Sequence, residues 1–128
     1  MAAFSNYLEN ALINGTLRAT SYTAPTTVYV GLFTTDPTDA GSGTEVSGNA
    51  YARVSATFAA PSNGAAATNA DVQFPQATGT WGTVTHFAIF DALTTGNMMY
   101  HGALTTSKTI EIGDVFKIAS GSLTVTLA

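Results

Sequence analysis

From residue 27 onward the apolar side chains recur with a period of two, in short runs cut by turn residues. A pleated strand sends successive side chains to opposite faces, so this pattern calls for strands stacked in layers. The runs are about 8–12 residues apart, the spacing of an antiparallel sandwich or barrel. The reading is an all-β domain of about seven or eight strands. Helices enter only ahead of residue 27.

The runs can be placed. In residues 27–34, Val28, Val30 and Leu32 alternate with Tyr29, Gly31 and Phe33. Both sets are apolar, so this is a central strand. Asp36-Pro37 ends it, since proline cannot continue a ladder. Residues 51–58 form a second strand with Ala52, Val54, Ala56 and Phe58 inward, and residues 71–74 a third, short one. Residues 84–90 are the most apolar, with Phe87 and Ile89 on one face and Val84, Ala88 and Phe90 on the other. Gly96-Asn97 turns the chain into a strand over 98–104. Gly113-Asp114 sets Ile110 and Ile112 opposite Val115, Phe116 and Ile118. Leu123, Val125 and Leu127 close the chain in alternation over 122–128. Asn63-Gly64 is a further turn signal, and a turn over 79–82 holds Trp81. The expected core is Val30, Leu32, Phe87, Ile89 and Val125.

Phe4, Tyr7, Leu8, Ala11 and Leu12 lie on one helical face. A helix over 3–14 follows, with Ser5 or Asn6 as its cap and Gly15 at the left-handed C-terminal position. The chain divides into a helix and arm, 1–26, and a single β domain, 27–128. One connection is long. Residues 36–50 are rich in Gly, Ser, Thr, Asp and Asn, and a loop of that length is mobile or functional.

Composition excludes several classes. Only 9% of residues are charged, against about 25% in an ordinary domain. The formal net charge is −4. The four cations, Arg18, Arg53, Lys108 and Lys117, are scattered, so neither nucleic acid nor an anionic membrane is an expected partner. No apolar run is long enough to span a bilayer, and residues 1–10 lack the pattern of a signal peptide. Without cysteine there is no disulfide or thiolate metal site. Such a weakly charged, Thr-rich surface suits one that other molecules cover.

No residue set spells out catalysis. His86 and His101 approach one another if their strands pair, but no third ligand stands at metal spacing. Asp91 is expected to accept backbone N–H groups in the turn after it. G-x-S-x-G is absent, and Gly41-Ser42-Gly43 lacks the lysine of a phosphate loop. Asp36, Asp39 and Glu45 read first as acids of a solvated loop that can meet a partner; a calcium ion is the lesser alternative, since their spacing is not that of an EF-hand. Trp81, Tyr22, Tyr29 and Tyr51 suit the core or an interface better than a sugar platform. The expectation is no enzyme, no cofactor and no metal.

Three blocks then carry a resemblance. They are Val28-Tyr29-Val30-Gly31-Leu32-Phe33-Thr34-Thr35-Asp36-Pro37, Gly48-Asn49-Ala50-Tyr51-Ala52-Arg53, and Trp81-Gly82-Thr83-Val84-Thr85-His86-Phe87-Ala88-Ile89-Phe90-Asp91-Ala92, with Gly96-Asn97, Gly102-Ala103-Leu104 and Gly113-Asp114 after them. Their order resembles small structural proteins of tailed bacteriophages, labelled tail-fibre-like or serving as capsid decoration proteins. The resemblance implies a virion component and no catalytic residues. A fibre shaft needs elongated repeats, which are absent here. The favoured expectation is therefore a decoration, or cement, protein. It would bind the major capsid protein or another virion protein as a homo-oligomer, with a trimer favoured. The alternative is a tail-fibre or tail-tip component contacting the host, and the outsider is a carbohydrate-binding β domain. Phe4, Tyr7, Leu8 and Leu12 of the helix, with Asp36, Asp39 and Glu45 of the loop, are the interface candidates. Arg53 is expected to pair with a carboxylate, within the subunit or across an interface.

Overall fold

The computed structural model describes residues 2–127 and is mostly β. The elements are β1 (Ala3–Phe4), α1 (Asn6–Leu17), β2 (Val28–Phe33), β3 (Val54–Ala56), β4 (Ala65–Ala67), β5 (Val72–Gln73), β6 (Gly82–Phe90), β7 (Met98–Ile110), β8 (Lys117–Ile118) and β9 (Thr124–Thr126). Five strands form one antiparallel sheet in the order β1-β7-β6-β2-β3. Two small antiparallel ladders, β4–β9 and β5–β8, complete a sandwich-like all-β fold. Among the described residues that makes nine strands, more than expected, because several are only two or three residues long.

The central strands follow the sequence pattern. β2 lies between β6 and β3, with Val30 opposite Ile89 and Leu32 opposite Phe87. Val30, Leu32, Phe87 and Ile89 are all buried, in one cluster with Phe74, Trp81, Phe116 and Leu123 from the ladders and connections. The other side of the sheet holds a smaller cluster of Phe33, Ala88, Phe90 and Met98. Val84 joins the Phe87 cluster instead of the Phe90 side. The register runs Val84↔Lys108 and then His86↔Ala103, so residues 104–107 of β7 bulge opposite Thr85 alone. The irregularity falls between Val84 and His86, at the place on β6 where the faces cease to alternate.

The helix starts later and ends later than 3–14. Ser5 caps it, its Oγ accepting the Leu8 N–H at 3.2 Å, while Ala3 and Phe4 ahead of it pair with β7. Gly15 sits inside the helix, and Arg18 is the C-cap. Residues 51–53 and 57–58 are not strand, and Ala52 is exposed. Tyr51 and Arg53 are taken by the contacts described below. The expected hairpin at Gly113-Asp114 is only a tight turn, with the Asp114 N–H on the Glu111 carbonyl at 3.0 Å. β8 pairs with β5, not with β7, which leaves Ile112 75% exposed. Val125 is half-buried and Leu127 exposed. Ala128, the end of the expected last strand, lies outside the described residues.

The turn chemistry is largely as read. Asn63 and Gly64 both have positive φ, 53° and 76°. Ser62 and Ala65 exchange both backbone hydrogen bonds across them, the two-residue turn that Asn-Gly favours. In the β6–β7 connection the left-handed pair is Thr95-Gly96, one residue earlier than Gly96-Asn97. Asp91 accepts the Asn97 N–H at 2.7 Å and its side-chain amide at 3.0 Å, which fulfils the expectation for that residue.

Candidate functional site

The 36–50 loop is folded back onto its own sheet. Thr34 N–H donates to Thr44 O, and Val46 N–H to Leu32 O, both at 2.9 Å. The segment around Glu45 thus takes up the edge of β2 beyond the three residues that β3 covers. Gly41 rests against Met98 on the smaller cluster. Pro37 and Val46 are buried.

A charged clasp holds this arrangement. Arg53 forms a bidentate pair with Glu45, Nε to Oε2 and Nη2 to Oε1, each at 2.9 Å. Its Nη1 donates to the carbonyls of Ala92 at 3.0 Å and Thr95 at 2.8 Å, which ties in the β6–β7 turn. The guanidinium lies 3.5 Å from the Phe90 ring centroid, a stacked cation–π contact. The Tyr51 hydroxyl donates to Glu45 Oε2 at 2.6 Å and accepts the Leu32 N–H at 2.9 Å. Burial, and next the hydrogen bond to Glu45, push the Tyr51 phenol far above its ordinary pKa. β2 makes room at Gly31, where an added Cβ would stand 2.8 Å from Glu45 Oε2 and 3.1 Å from Phe90.

The backbone ahead of Tyr51 is strained. Gly48, Asn49 and Ala50 are all left-handed, with φ of 75°, 54° and 69°, unusual for the two non-glycines. Trp81 Nε1–H donates to Asn49 O at 2.9 Å, and Asn49 Nδ2 to Thr80 O at 2.9 Å. Trp81 also meets Tyr51 edge to face. The Gly48–Arg53 and Trp81 blocks of the sequence therefore touch in space.

A second fastener joins loop, arm and sheet. His101 Nε2 and Asp39 Oδ1 are 2.7 Å apart. Asn6 N–H donates to Asp39 O and Ser5 N–H to Met99 O, both at 2.9 Å. His86 instead bonds its neighbour Thr85 through Nδ1.

The candidate residues thus fall as follows. Leu8 is buried inside the chain, and Phe4 and Leu12 pack partly against the main cluster. Phe4 meets Tyr100 edge to face. Tyr7 is exposed. Asp36 accepts the Thr38 N–H, Asp39 faces His101 and Glu45 faces Arg53, so the three acids point to three different groups. Among the described residues no set of three or more His, Cys, Asp or Glu side chains is arranged to hold a metal ion. Arg53 pairs within the subunit. Tyr51 was read only as a core or interface aromatic, and His101 only as a histidine near His86. Their partners lie 6 and 62 residues away, and only the grouping of Tyr51 with Arg53 in one block hinted at a joint task.

The arrangement can bind its own loops and stiffen a surface. Residues 3–126 match the family described as podophage GP4 fiber I protein gp80. No curated protein matches the chain.

Proposed function

The chain belongs to the podophage GP4 fiber I protein gp80 family, and from that premise we propose that it is a fibre component of the phage tail. It is a structural virion protein of a tailed phage. The fibre reading replaces capsid decoration as the favoured one, and a match running over residues 3–126 carries it. With no shaft repeat in its sequence, the domain suits a head, a joint or a collar of a fibre better than its rod. The protein acts without catalysis, through contacts with other virion proteins and with copies of itself, a trimer being the first arrangement to test. The internally clasped loops support this, because a module that transmits load needs surfaces that do not fray.

Copy number and position test the proposal. Quantitative mass spectrometry of purified particles should find tens of copies or fewer, and labelled antibody should mark the tail. Hundreds of copies, with label over the shell, would restore decoration.

A further inference from the structure

Residues 2–17 are attached to the domain as a separable piece. β1 and α1 dock through a short list of groups: the β1–β7 ladder at Ala3↔His101 and Phe4↔Tyr100, the buried Ala2, Ser5 and Leu8, Phe4 against Tyr100, the partly buried Leu12, and two further backbone bonds to Met99 and Asp39. The connection to β2 is different in kind. Among the described residues, the backbone of 21–27 makes no hydrogen bond; its inward contact is the Tyr22 side chain, which packs partly on the main cluster and donates its hydroxyl to Met99 Sδ at 3.6 Å. Residues 18–27 are mostly exposed. Fully extended, ten residues reach about 35 Å, far enough to cross to a neighbouring molecule. The outward side of the helix carries two unpartnered apolar side chains one turn apart, Ile13 at 52% and Leu17 at 79% exposure.

We propose that the β1–α1 arm is exchanged between copies, each arm docking on β7 of a neighbour. The occupant of that site is already visible, since it is the arm itself. Exchange conserves every docking contact, so closed and exchanged forms differ only in hinge strain, in association entropy and in any new contact at the junction. Ile13 and Leu17 supply that contact, because exchange brings hinges and outer helix faces of adjacent copies together. In a ring of any order each copy gives one arm and receives one. The inference rests on the multi-copy reading above and gives it a mechanism.

The chain has no cysteine, which makes a crosslink clean. Ala3 and His101 are directly paired across β1 and β7, close enough for a disulfide. Ala3→Cys and His101→Cys are prepared as two single variants, mixed, unfolded, refolded together at high concentration and oxidised. Exchange predicts a covalent product of twice the 13.1 kDa chain mass, joined between positions 3 and 101 by peptide mapping. Ala3→Cys mixed with Lys108→Cys should give none. The double variant on one chain shows that both substitutions permit folding and bonding. A second variant, deleting residues 23–26 and free of cysteine, shortens the hinge and should raise the oligomer fraction severalfold by light scattering. If the protein is oligomeric but the mixed variants give no 3–101 product, exchange is refuted and the multi-copy reading stands. A protein that stays monomeric at every concentration, with no such product, refutes both. An oligomer fraction unchanged by the shorter hinge also counts against exchange.

Discussion

The two faces of the five-stranded sheet are covered by different means. One side is buried under a continuous apolar cluster built from β2, β6, the small ladders and the helix. The other has four clustered apolar residues, and there the 36–50 loop and the β6–β7 turn are held by Glu45, Arg53 and Tyr51. Apolar burial is non-directional and tolerant of small shifts, whereas a bidentate ion pair fixes angle as well as distance. The first face therefore sets whether the chain folds, and the second sets where its loops stand.

That contrast is broken most directly at Phe87. It is 4% exposed and opposite Leu32. Phe87→Ala should cost about 3–5 kcal/mol, against about 5–15 kcal/mol for a whole domain. Denaturant melts should find a marginal or insoluble protein. A midpoint near that of the parent would mean that the apolar face does not dominate.

Arg53→Ala comes next. The Arg53 side chain is 9% exposed and Glu45 24%, so removal strands a half-buried carboxylate and two carbonyls. Breaking a buried pair costs about 3–5 kcal/mol. The partial exposure of Glu45 brings the expectation to about 2–3 kcal/mol. Amide exchange should quicken at Thr34 and Val46, where the loop joins β2, and stay slow at Ile89. Uniform acceleration would show that the clasp belongs to the core and not to the loop alone.

The same contrast separates what could be read in the sequence from what could not. Val30, Leu32, Phe87 and Ile89 were legible because alternation reports burial directly. The Asn63-Gly64 turn and the role of Asp91 were legible because each is settled within a few residues. Val84 was misplaced because β6 ceases to alternate beside a register irregularity that only the pairing with β7 reveals, and Gly15 by a helix that continues through it. The 36–50 loop read as free because its composition is polar. What orders it is Arg53 beyond its end, Tyr51 beside that, and His101 much farther on. Ion pairs between distant segments leave no period, so composition and length alone could say only that the loop is mobile or functional.

Tyr51→Phe sharpens the account of the clasp. It leaves the ion pair but deprives the Leu32 N–H of its acceptor, an expected loss of about 1–2 kcal/mol. A pH series adds a signature. The phenol pKa is raised in the folded state above its ordinary value of 10.0, so its stabilising contribution is complete below pH 10. Above that the unfolded chain releases the proton while the folded one keeps it. Stability then falls by up to about 1.4 kcal/mol per pH unit for such a group. Tyr22 and Tyr100, raised chiefly by burial, act in the same direction. Tyr51→Phe should show a shallower alkaline decline than the parent, and equal slopes would mean that Tyr51 is not the buried titrating group.

The smallest effect is expected at the loop's other fastener. Asp39 and His101 stand closer, at 2.7 Å, than Arg53 and Glu45 at 2.9 Å, but the Asp39 side chain is 52% exposed where Glu45 is 24%. Water and salt compete for an exposed carboxylate, and such pairs contribute about 0–1 kcal/mol. Asp39→Asn also keeps an oxygen that can accept from the imidazole, and it leaves the backbone carbonyl that holds Asn6 untouched. The loss should therefore stay under about 1 kcal/mol, with amide exchange at Asn6 unchanged. In Arg53→Ala the same substitution should add its small cost independently, since the two fasteners share no group. A double-mutant cycle that departs from additivity by more than about 0.5 kcal/mol would show that the loop transmits strain from one fastener to the other, and the second face would then behave as one cooperative unit.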